Sequence, residues 1–148
     1  MTTQTVAMVE RLRDATNAHD LDALVDCFAE SYRNETPAHP GRGFTGREQV
    51  RTNWRQIFAA VPDLTAIVQH SVTNGDEIWS EWEMRGTRPD RSPHLMRGVI
   101  IFGVSAGRAS WARFYLEPVH SGDEGATAAV GQIVGATARA PESVQDNG

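Results

Sequence analysis

The feature that most constrains the fold is the segment 111–117, which reads Trp-Ala-Arg-Phe-Tyr-Leu-Glu. Side chains alternate between the two faces of a β-strand, so the odd-numbered positions of this segment share one face. These positions are Trp111, Arg113, Tyr115 and Glu117. A half-exposed strand would place two aromatic rings in water, whereas a small-molecule site typically has a partly apolar wall with a few fixed polar groups. The segment therefore indicates a strand whose odd-numbered face either meets water or lines a cavity.

Length and charge narrow the classes of protein. The 148 residues suffice for one domain with a hydrophobic core. The net charge of -5, with acidic and basic residues interspersed, argues against nucleic acid as a partner. No apolar run is long enough to span a membrane, and the first residues lack the regions of a signal peptide. We therefore expect a cytoplasmic protein with no membrane partner.

The sequence lacks the residues that several kinds of chemistry need. All 14 basic residues are arginine, which excludes Schiff-base catalysis and covalently attached pyridoxal phosphate. Cys27 is the only cysteine, so neither an internal disulfide nor a cysteine-rich zinc site can form. The five histidines have no metal-ligand spacing, and no dinucleotide-binding or phosphate-binding motif is present. The sequence predicts a protein with no metal and no cofactor.

Apolar spacing predicts three helices in the first half of the chain. The first covers residues 5–18, with apolar residues at three-residue steps. Asp20 is a suitable N-cap for the second helix, whose apolar positions continue to Phe28. The third helix begins at a capping-box pattern, Thr-Gly-Arg-Glu at residues 45–48, and Pro62 ends it.

Alternation of apolar and polar residues predicts the strands. They cover residues 31–35, 64–72, 77–87, 94–104 and 108–119. Two dipeptides have the composition of tight hairpin turns. Asn74-Gly75 predicts a type I′ turn, and Ala106-Gly107 connects the last two strands.

These elements define the domain organisation. Three helices followed by a mostly antiparallel sheet give an α+β domain over residues 1–119, with the helices on one face of a curved sheet. Residues 120–148 are rich in Gly, Ala, Ser and acidic residues. They form either a flexible tail or a short helix with Val130, Ile133 and Val134 on one side.

The order of the elements and five short motifs resemble a known family. The motifs are Phe-Thr-Gly-Arg-Glu at 44–48, Val-Pro-Asp-Leu at 61–64, Arg-Gly-Thr at 85–87, Arg-Gly at 97–98 and Phe-Tyr-Leu-Glu at 114–117. They are similar to those of the SnoaL-like families of the nuclear transport factor 2 superfamily, which includes ketosteroid isomerases, polyketide cyclases and limonene-epoxide hydrolases. The resemblance runs from about Val6 to Val119. It implies a cone, in which a strongly bent sheet wraps the three helices around an apolar pocket, and it specifies no reaction.

The family's geometry implies which residues bind a ligand. From the helix, the pocket wall would contain Trp54, Ile57, Phe58 and Val61. From the strands, it would contain Ile78, Ser80, Trp82, Met84, His94, Met96, Gly98, Ile100, Phe102, Trp111 and Tyr115. We expect the partner to be a small hydrophobic molecule. The opposite sheet face would carry Leu95, Val99, Ile101, Phe114 and Leu116, and its apolar character predicts a homodimer through this face.

The resemblance also implies candidate catalytic residues. Tyr32 and Asn34 match the Tyr-x-Asn with which limonene-epoxide hydrolases hold the attacking water. Those enzymes also use an Arg-x-Asp and an aspartate on the last strand. This chain has Trp-Glu-Met at residues 82–84 and Arg113 instead. Ordinary epoxide hydrolysis therefore lacks its acid and its base.

Three further polar residues each have two interpretations. Within the cone, Arg113 either binds an anionic or enolate oxygen of a ligand or pairs internally with Glu117 or Glu35. Glu117 is either a general base with a raised pKa or a strand-end carboxylate paired with an arginine. His39, in the loop after Asn34, is either a proton carrier at the pocket mouth or a structural histidine.

Three functions agree with these residues. The first is a SnoaL-like enzyme that applies cofactor-independent acid–base chemistry of the isomerase or cyclase type to a hydrophobic metabolite. In it Glu117 or His39 carries the proton, while Tyr32, Asn34 and Arg113 orient the ligand and stabilise charge. The second is a non-catalytic protein that binds a hydrophobic ligand. The third is a variant epoxide hydrolase without the usual acidic residues.

Overall fold

The computed structural model describes residues 3–145, with side chains described as far as residue 135. The helices are α1 (Gln4–Ala18), α2 (Leu21–Asp26), α3 (Arg47–Ala60) and α4 (Ala126–Gln145), and one 3-10 turn covers Pro40–Arg42. The strands are β1 (Phe28–Glu35), β2 (Phe44–Thr45), β3 (Thr65–Asn74), β4 (Glu77–Thr87), β5 (Pro93–Ser105) and β6 (Arg108–Pro118). They form one six-stranded sheet in the order β2-β1-β6-β5-β4-β3. Only β1 and β6 pair in parallel among the described strands. The predicted α+β class is confirmed.

The second helix begins as predicted and ends early. The Asp20 side chain accepts a hydrogen bond from the backbone N–H of Ala23 at 3.1 Å, which caps α2. The helix ends at Asp26, however, and Phe28 already belongs to β1. Phe28 is buried in the strand. Because an apolar residue is buried in either element, its spacing did not distinguish a helix from a strand.

The predicted capping box of α3 is wrong. Thr45 lies in β2, where it pairs with Arg33 of β1. The N-cap is Gly46, with a φ of 99°, and its backbone N–H donates to the Tyr32 carbonyl at 2.6 Å. Pairing with β1 holds Thr45 in an extended conformation one residue too early to cap the helix. Glycine then supplies the positive φ of the connection.

The two hairpin turns differ from each other. Ala106 and Gly107 have φ values of 51° and 77°, the two positive values that a type I′ turn needs. In the other hairpin, Asn74 still belongs to β3 and the loop consists of Gly75 and Asp76. Of these two loop residues, Gly75 alone has a positive φ. The predicted type I′ turn centred on Asn74 and Gly75 is therefore wrong.

A β-bulge in β6 determines which side chains of this strand face the helices. Val104 pairs with Ala109, but the next pair joins Gly103 to Trp111. Ser110 is therefore an extra residue in β6. Because strand side chains alternate with a period of two, one extra residue turns every later side chain to the opposite face.

As a result, the even-numbered residues of β6 after the bulge face inward. Ala112 pairs with Phe102, and Phe114 pairs with Ile100. Both partners are buried on the inner face, whereas Tyr115 is 44% exposed. The predicted orientation of this strand is wrong. The outer face carries Trp111, Arg113, Tyr115 and Glu117.

The hydrophobic core lies between the first three helices and the sheet. Its fully buried members include Met8, Leu24, Leu64, Ile78, Trp82, Ile100 and Phe102. The indole N–H of Trp82 donates to the Ser80 hydroxyl at 2.8 Å, which in turn donates to the Ile100 carbonyl at 2.7 Å. No buried polar side-chain atom among the described residues lacks a hydrogen-bond partner. Within the same part of the chain, none of the helices is long and apolar enough to cross a membrane.

The outer sheet face and α4 expose apolar side chains. On the sheet these are Ile67, Val72, Trp79 and Tyr115, and on α4 they are Val130, Ile133 and Val134. Phe114 and Leu116, which the sequence places on the outer face, lie on the inner one because of the bulge. The homodimer through this face stays a prediction.

A nearly buried carboxylate also lies on the outer face. Glu83 is 5% exposed. Arg97 Nε donates to its Oε1 at 2.8 Å, and Arg85 Nη2 donates to its Oε2 at 2.8 Å. The hydrogen bond from Arg97, followed by that from Arg85, holds the pKa of Glu83 below its ordinary value, although burial opposes this.

We expect Glu83→Gln to weaken the acid dependence of stability. A carboxyl group whose pKa is lower in the folded state stabilises the protein above its unfolded pKa of about 4.3, and this contribution is lost as pH falls through the folded value. The variant should therefore be less stable than the parent at pH 7, and the difference should shrink below about pH 4. Thermal unfolding from pH 7 to pH 3 measures this. Glu81→Gln, at an exposed position of the same strand, is the control, and an equal loss in both variants would contradict the prediction.

Candidate functional site

A cavity of about 330 Å³ lies between α3 and the inner face of the sheet. It occupies the end of the sheet where β1, β4 and β6 end and where β3 and β5 begin. Its apolar wall contains Phe28, Phe44, Val50, Trp54, Ile57, Leu64, Met84, Met96, Phe114 and Leu116. Its polar wall residues are Tyr32, Asn34, Thr36, Arg42, Asn53 and His94. A few polar groups in an apolar wall are typical of a site for a small organic molecule.

A short chain of hydrogen bonds lies along β1 in this wall. Tyr32 and Asn34 share the inward face of the strand because they are two residues apart. The Tyr32 hydroxyl donates to Asn34 Oδ1 at 2.7 Å, and Asn34 Nδ2 donates to the Thr36 hydroxyl at 3.5 Å. Burial raises the pKa of Tyr32, so the phenol stays neutral. An amide nitrogen carries two hydrogens, so Asn34 retains one N–H that no described residue accepts.

His94 brings a second neutral polar group to the cavity. Burial, together with the nearby Arg88 guanidinium, lowers the pKa of this histidine, so its ring is neutral at pH 7. Arg88 Nη2 lies 3.3 Å from His94 Nδ1. A guanidinium only donates, so Nδ1 accepts and Nε2 carries the proton. His94 Nε2 therefore carries an N–H that donates to no partner among the described residues.

The cavity wall contains no carboxylate among the described residues. In the same part of the chain, no group of three or more His, Cys, Asp or Glu side chains could hold a metal ion. The polar groups of the described wall are thus hydroxyl, amide and imidazole groups and one guanidinium.

Two of the predicted catalytic residues, His39 and Glu117, are not among the residues that line the cavity. His39 Nε2 is 2.5 Å from Glu117 Oε1, and Arg42 Nη1 is 3.8 Å from Glu117 Oε2. Both His39 and Glu117 are about 40% exposed. They contact each other rather than a common cavity, because Glu117 lies on the outer face of β6 and His39 reaches it from the loop after β1.

The family model of the SnoaL-like domain matches residues 9–112. The chain belongs to the SnoaL-like domain family. Among solved structures it is similar to IdmH, a candidate polyketide cyclase from Streptomyces antibioticus, with 25% identity over 78% of this chain and 93% of that one and a TM-score of 0.68. The predicted family and the nuclear transport factor 2-like fold are confirmed.

Two further structures share the fold of this SnoaL-like domain. One is a Mycobacterium tuberculosis protein in complex with estradiol-17beta-hemisuccinate, with 21% identity over 77% of this chain and 94% of that one and a TM-score of 0.67. The other is a computationally designed 17-OHP binder, with 20% identity over 80% of this chain and the whole of that one and a TM-score of 0.68. A search among curated proteins finds no match.

Arg113 of the SnoaL-like domain lies outside the cavity, which corrects the predicted placement. Its Nε is 3.7 Å from Glu35 Oε2, and its guanidinium lies 4.8 Å from the centre of the Trp111 ring. The bulge at Ser110 turns all of these β6 side chains outward. Of the two predicted internal partners, the structure places Glu35 and not Glu117 next to Arg113.

The predicted ligand-binding residues divide into three groups. Those in the cavity wall are Trp54, Ile57, Met84, His94 and Met96. Those in the core, behind the wall, are Val61, Trp82, Ile100 and Phe102, and Phe58 stacks on His19 beside them. Trp111 and Tyr115 lie on the outer face. The prediction of which side chains of β4 and β5 face inward is thus correct. Some of these side chains lie in the core and not at the cavity, because both strands extend beyond the cavity.

Sequence reasoning missed several wall residues. These are Phe28, Thr36, Arg42, Phe44, Val50, Asn53, Leu64, Phe114 and Leu116. Phe114 and Leu116 were assigned to the wrong face of the sheet because the sequence analysis did not predict the bulge. Val50 and Asn53 precede Trp54 and Ile57 by four residues, so the helical period could have found them. Arg42 lies in a loop, where no period applies.

Proposed function

We propose that this SnoaL-like domain binds a hydrophobic small molecule that carries a carbonyl or hydroxyl oxygen. The observation that carries the proposal is the composition of the cavity wall. Apolar side chains surround a few neutral hydrogen-bonding groups, which include Asn34 and His94. Such a wall binds the apolar body of a ligand by burial and orients it by its oxygen.

The apolar part of the proposal has two kinds of support. Trp54 and Phe114 contribute large aromatic surfaces to the wall, and flat hydrophobic ligands bury well against such rings. Among proteins of the same fold, one is in complex with a steroid derivative and another is designed to bind 17-OHP. The fold thus accommodates ligands of this kind.

The polar part rests on the protonation states of the wall. Asn34 retains an amide hydrogen, and the neutral ring of His94 retains the one on Nε2. Both are neutral donors, which suits an uncharged oxygen acceptor. Tyr32 supports this arrangement by fixing the orientation of the Asn34 amide.

A second candidate is a cofactor-independent enzyme of the isomerase or cyclase type. It is favoured by the same donors, because a hydrogen bond to a carbonyl oxygen stabilises the enolate that forms when a proton leaves the neighbouring carbon. Glu117 or His39 would have to carry that proton, and neither lines the cavity. The absence of a carboxylate from the described wall makes binding the better supported function. It also leaves the epoxide hydrolase without a base beside Tyr32 and Asn34.

We expect His94→Gln to weaken binding of ketones. The probes are 2-acetylnaphthalene and a β,γ-unsaturated steroid ketone, and tryptophan fluorescence reports binding because Trp54 lines the cavity. Loss of one hydrogen bond should raise the Kd about two- to tenfold. His70→Gln, at an exposed position of β3, should leave the Kd unchanged.

The steroid probe also distinguishes a binding protein from an enzyme of the isomerase type. A binding protein returns it unchanged, whereas an isomerase converts it to the conjugated ketone, whose ultraviolet absorbance rises. Failure of both ketones to bind would contradict the proposed function. Conversion that is lost in His94→Gln would establish the enzyme instead.

A further inference from the structure

Arg42 is the charged residue of the cavity wall that the proposed function does not use. We propose that the cavity selects hydrophobic molecules that carry a carboxylate, and that Arg42 binds this anionic end. The inference rests on the proposed ligand site and names the chemical class that the site prefers. It concerns a residue that reaches the wall from the 3-10 turn Pro40–Arg42.

The guanidinium of Arg42 has N–H donors that make no hydrogen bond within the described part of the chain. Its ion-pair partner among the described residues is Glu117, whose Oε2 is 3.8 Å away, beyond the distance of a good hydrogen bond. The other oxygen of Glu117 is engaged by His39. A guanidinium has five N–H donors. Arg42 can therefore bind an incoming carboxylate without first breaking a hydrogen bond within the described part of the chain.

The position of Arg42 is fixed by its backbone. The N–H of Arg42 donates to the His39 carbonyl at 2.9 Å, and that of Gly43 donates to the Pro40 carbonyl at 3.2 Å. Gly43 packs closely on β1, since a Cβ at this residue would lie 3.2 Å from the Asn34 carbonyl oxygen. The turn therefore holds Arg42 at the same end of the cavity as the amide of Asn34.

The charge balance of the wall favours an anion. Arg42 is the permanently charged member of the described wall, and no carboxylate opposes it there. Arginine presents a planar pair of donors that matches the two oxygens of a carboxylate. Apolar surroundings strengthen this attraction relative to water. Because the Arg42 side chain is 62% exposed, screening keeps the gain moderate.

The experiment compares 2-naphthylacetate with its neutral isostere 2-naphthylacetamide. In the parent protein we expect the acid to bind about fivefold tighter, the ratio that corresponds to roughly 1 kcal/mol. Arg42→Gln should bind the two probes equally. Arg55→Gln, at an exposed position of α3, should keep the fivefold preference.

A second variant tests the same inference, and for it we expect a change in affinity for the acid in the opposite direction. Glu117→Gln removes the carboxylate that faces Arg42 and should increase affinity for the acid, whereas the amide should be unaffected. Equal affinities of acid and amide in the parent would overturn the inference, and the proposed function would stand if 2-acetylnaphthalene still binds. A preference that survives Arg42→Gln would also overturn it. Failure of all three probes would refute the site itself.

Discussion

Replacing Gly98 with alanine should cost about 3 kcal/mol or more of the free energy of unfolding. Gly98 has a φ of 152°, a region that residues with a Cβ rarely adopt. A Cβ at this position would lie 2.0 Å from the backbone oxygen of Tyr115 and 2.8 Å from the Cα of Leu116. Both atoms belong to the backbone of β6, so no side-chain movement can relieve the contact. The two strands would have to separate next to the cavity.

Two other glycines distinguish the two causes of this loss of stability, which are the positive φ of the backbone and the steric clash of the Cβ. Gly75 has a φ of 61° and no atom within 4 Å of the position of a Cβ, so Gly75→Ala measures the backbone term alone, about 1–2 kcal/mol. Gly122 has neither constraint, and Gly122→Ala should change stability by less than about 0.5 kcal/mol. Urea unfolding measures all three variants. If Gly98→Ala lost no more than Gly75→Ala, the close approach of β5 and β6 would be refuted.

The fold could be predicted because its signals are local. The bounds of β4 agree with the predicted 77–87, where alternation and a turn dipeptide coincide. The capping signal at Thr45 failed because β2 pairs with β1, a contact between distant parts of the chain. Similarly, Phe28 is apolar at the right spacing for a helix, but the strand pairing decides its conformation. Local patterns thus predicted three of the helices and five of the strands, and long-range pairing decided several of their ends.

The candidate site was only partly predictable for the same reason. The family resemblance implied that Trp54 of α3 and Met84 of β4 face the pocket, and both line the cavity. Which face of the sheet a β6 side chain occupies depends on the number of residues between the turn and that side chain. The bulge at Ser110 changes this number by one. No residue type marks Ser110 as a bulge. Arg113 was therefore assigned to the cavity. Arg42 was overlooked for a different reason, because it lies in a loop, where no periodicity applies.

Phe114 and Tyr115 provide a direct test of which side chains of β6 face inward after the bulge. Phe114 lines the cavity and forms an edge contact with Phe102, with ring centres 6.4 Å apart. We expect Phe114→Ala to cost about 2–4 kcal/mol, because it removes a ring from the core side of the sheet and leaves a larger cavity. The Kd of 2-acetylnaphthalene should rise as well. Tyr115 is 44% exposed, and Tyr115→Ala should cost less than about 1 kcal/mol.

These two neighbours are matched, since they are adjacent aromatic residues of one strand and differ mainly in the face they occupy. Without the bulge, Tyr115 would lie against the helices and Phe114 on the outer face, so the order of the two losses would be reversed. Urea unfolding and the fluorescence titration therefore test the orientation independently. A larger loss for Tyr115→Ala in both measurements would return Arg113 and Glu117 to the cavity, and with them the carboxylate that the described wall lacks.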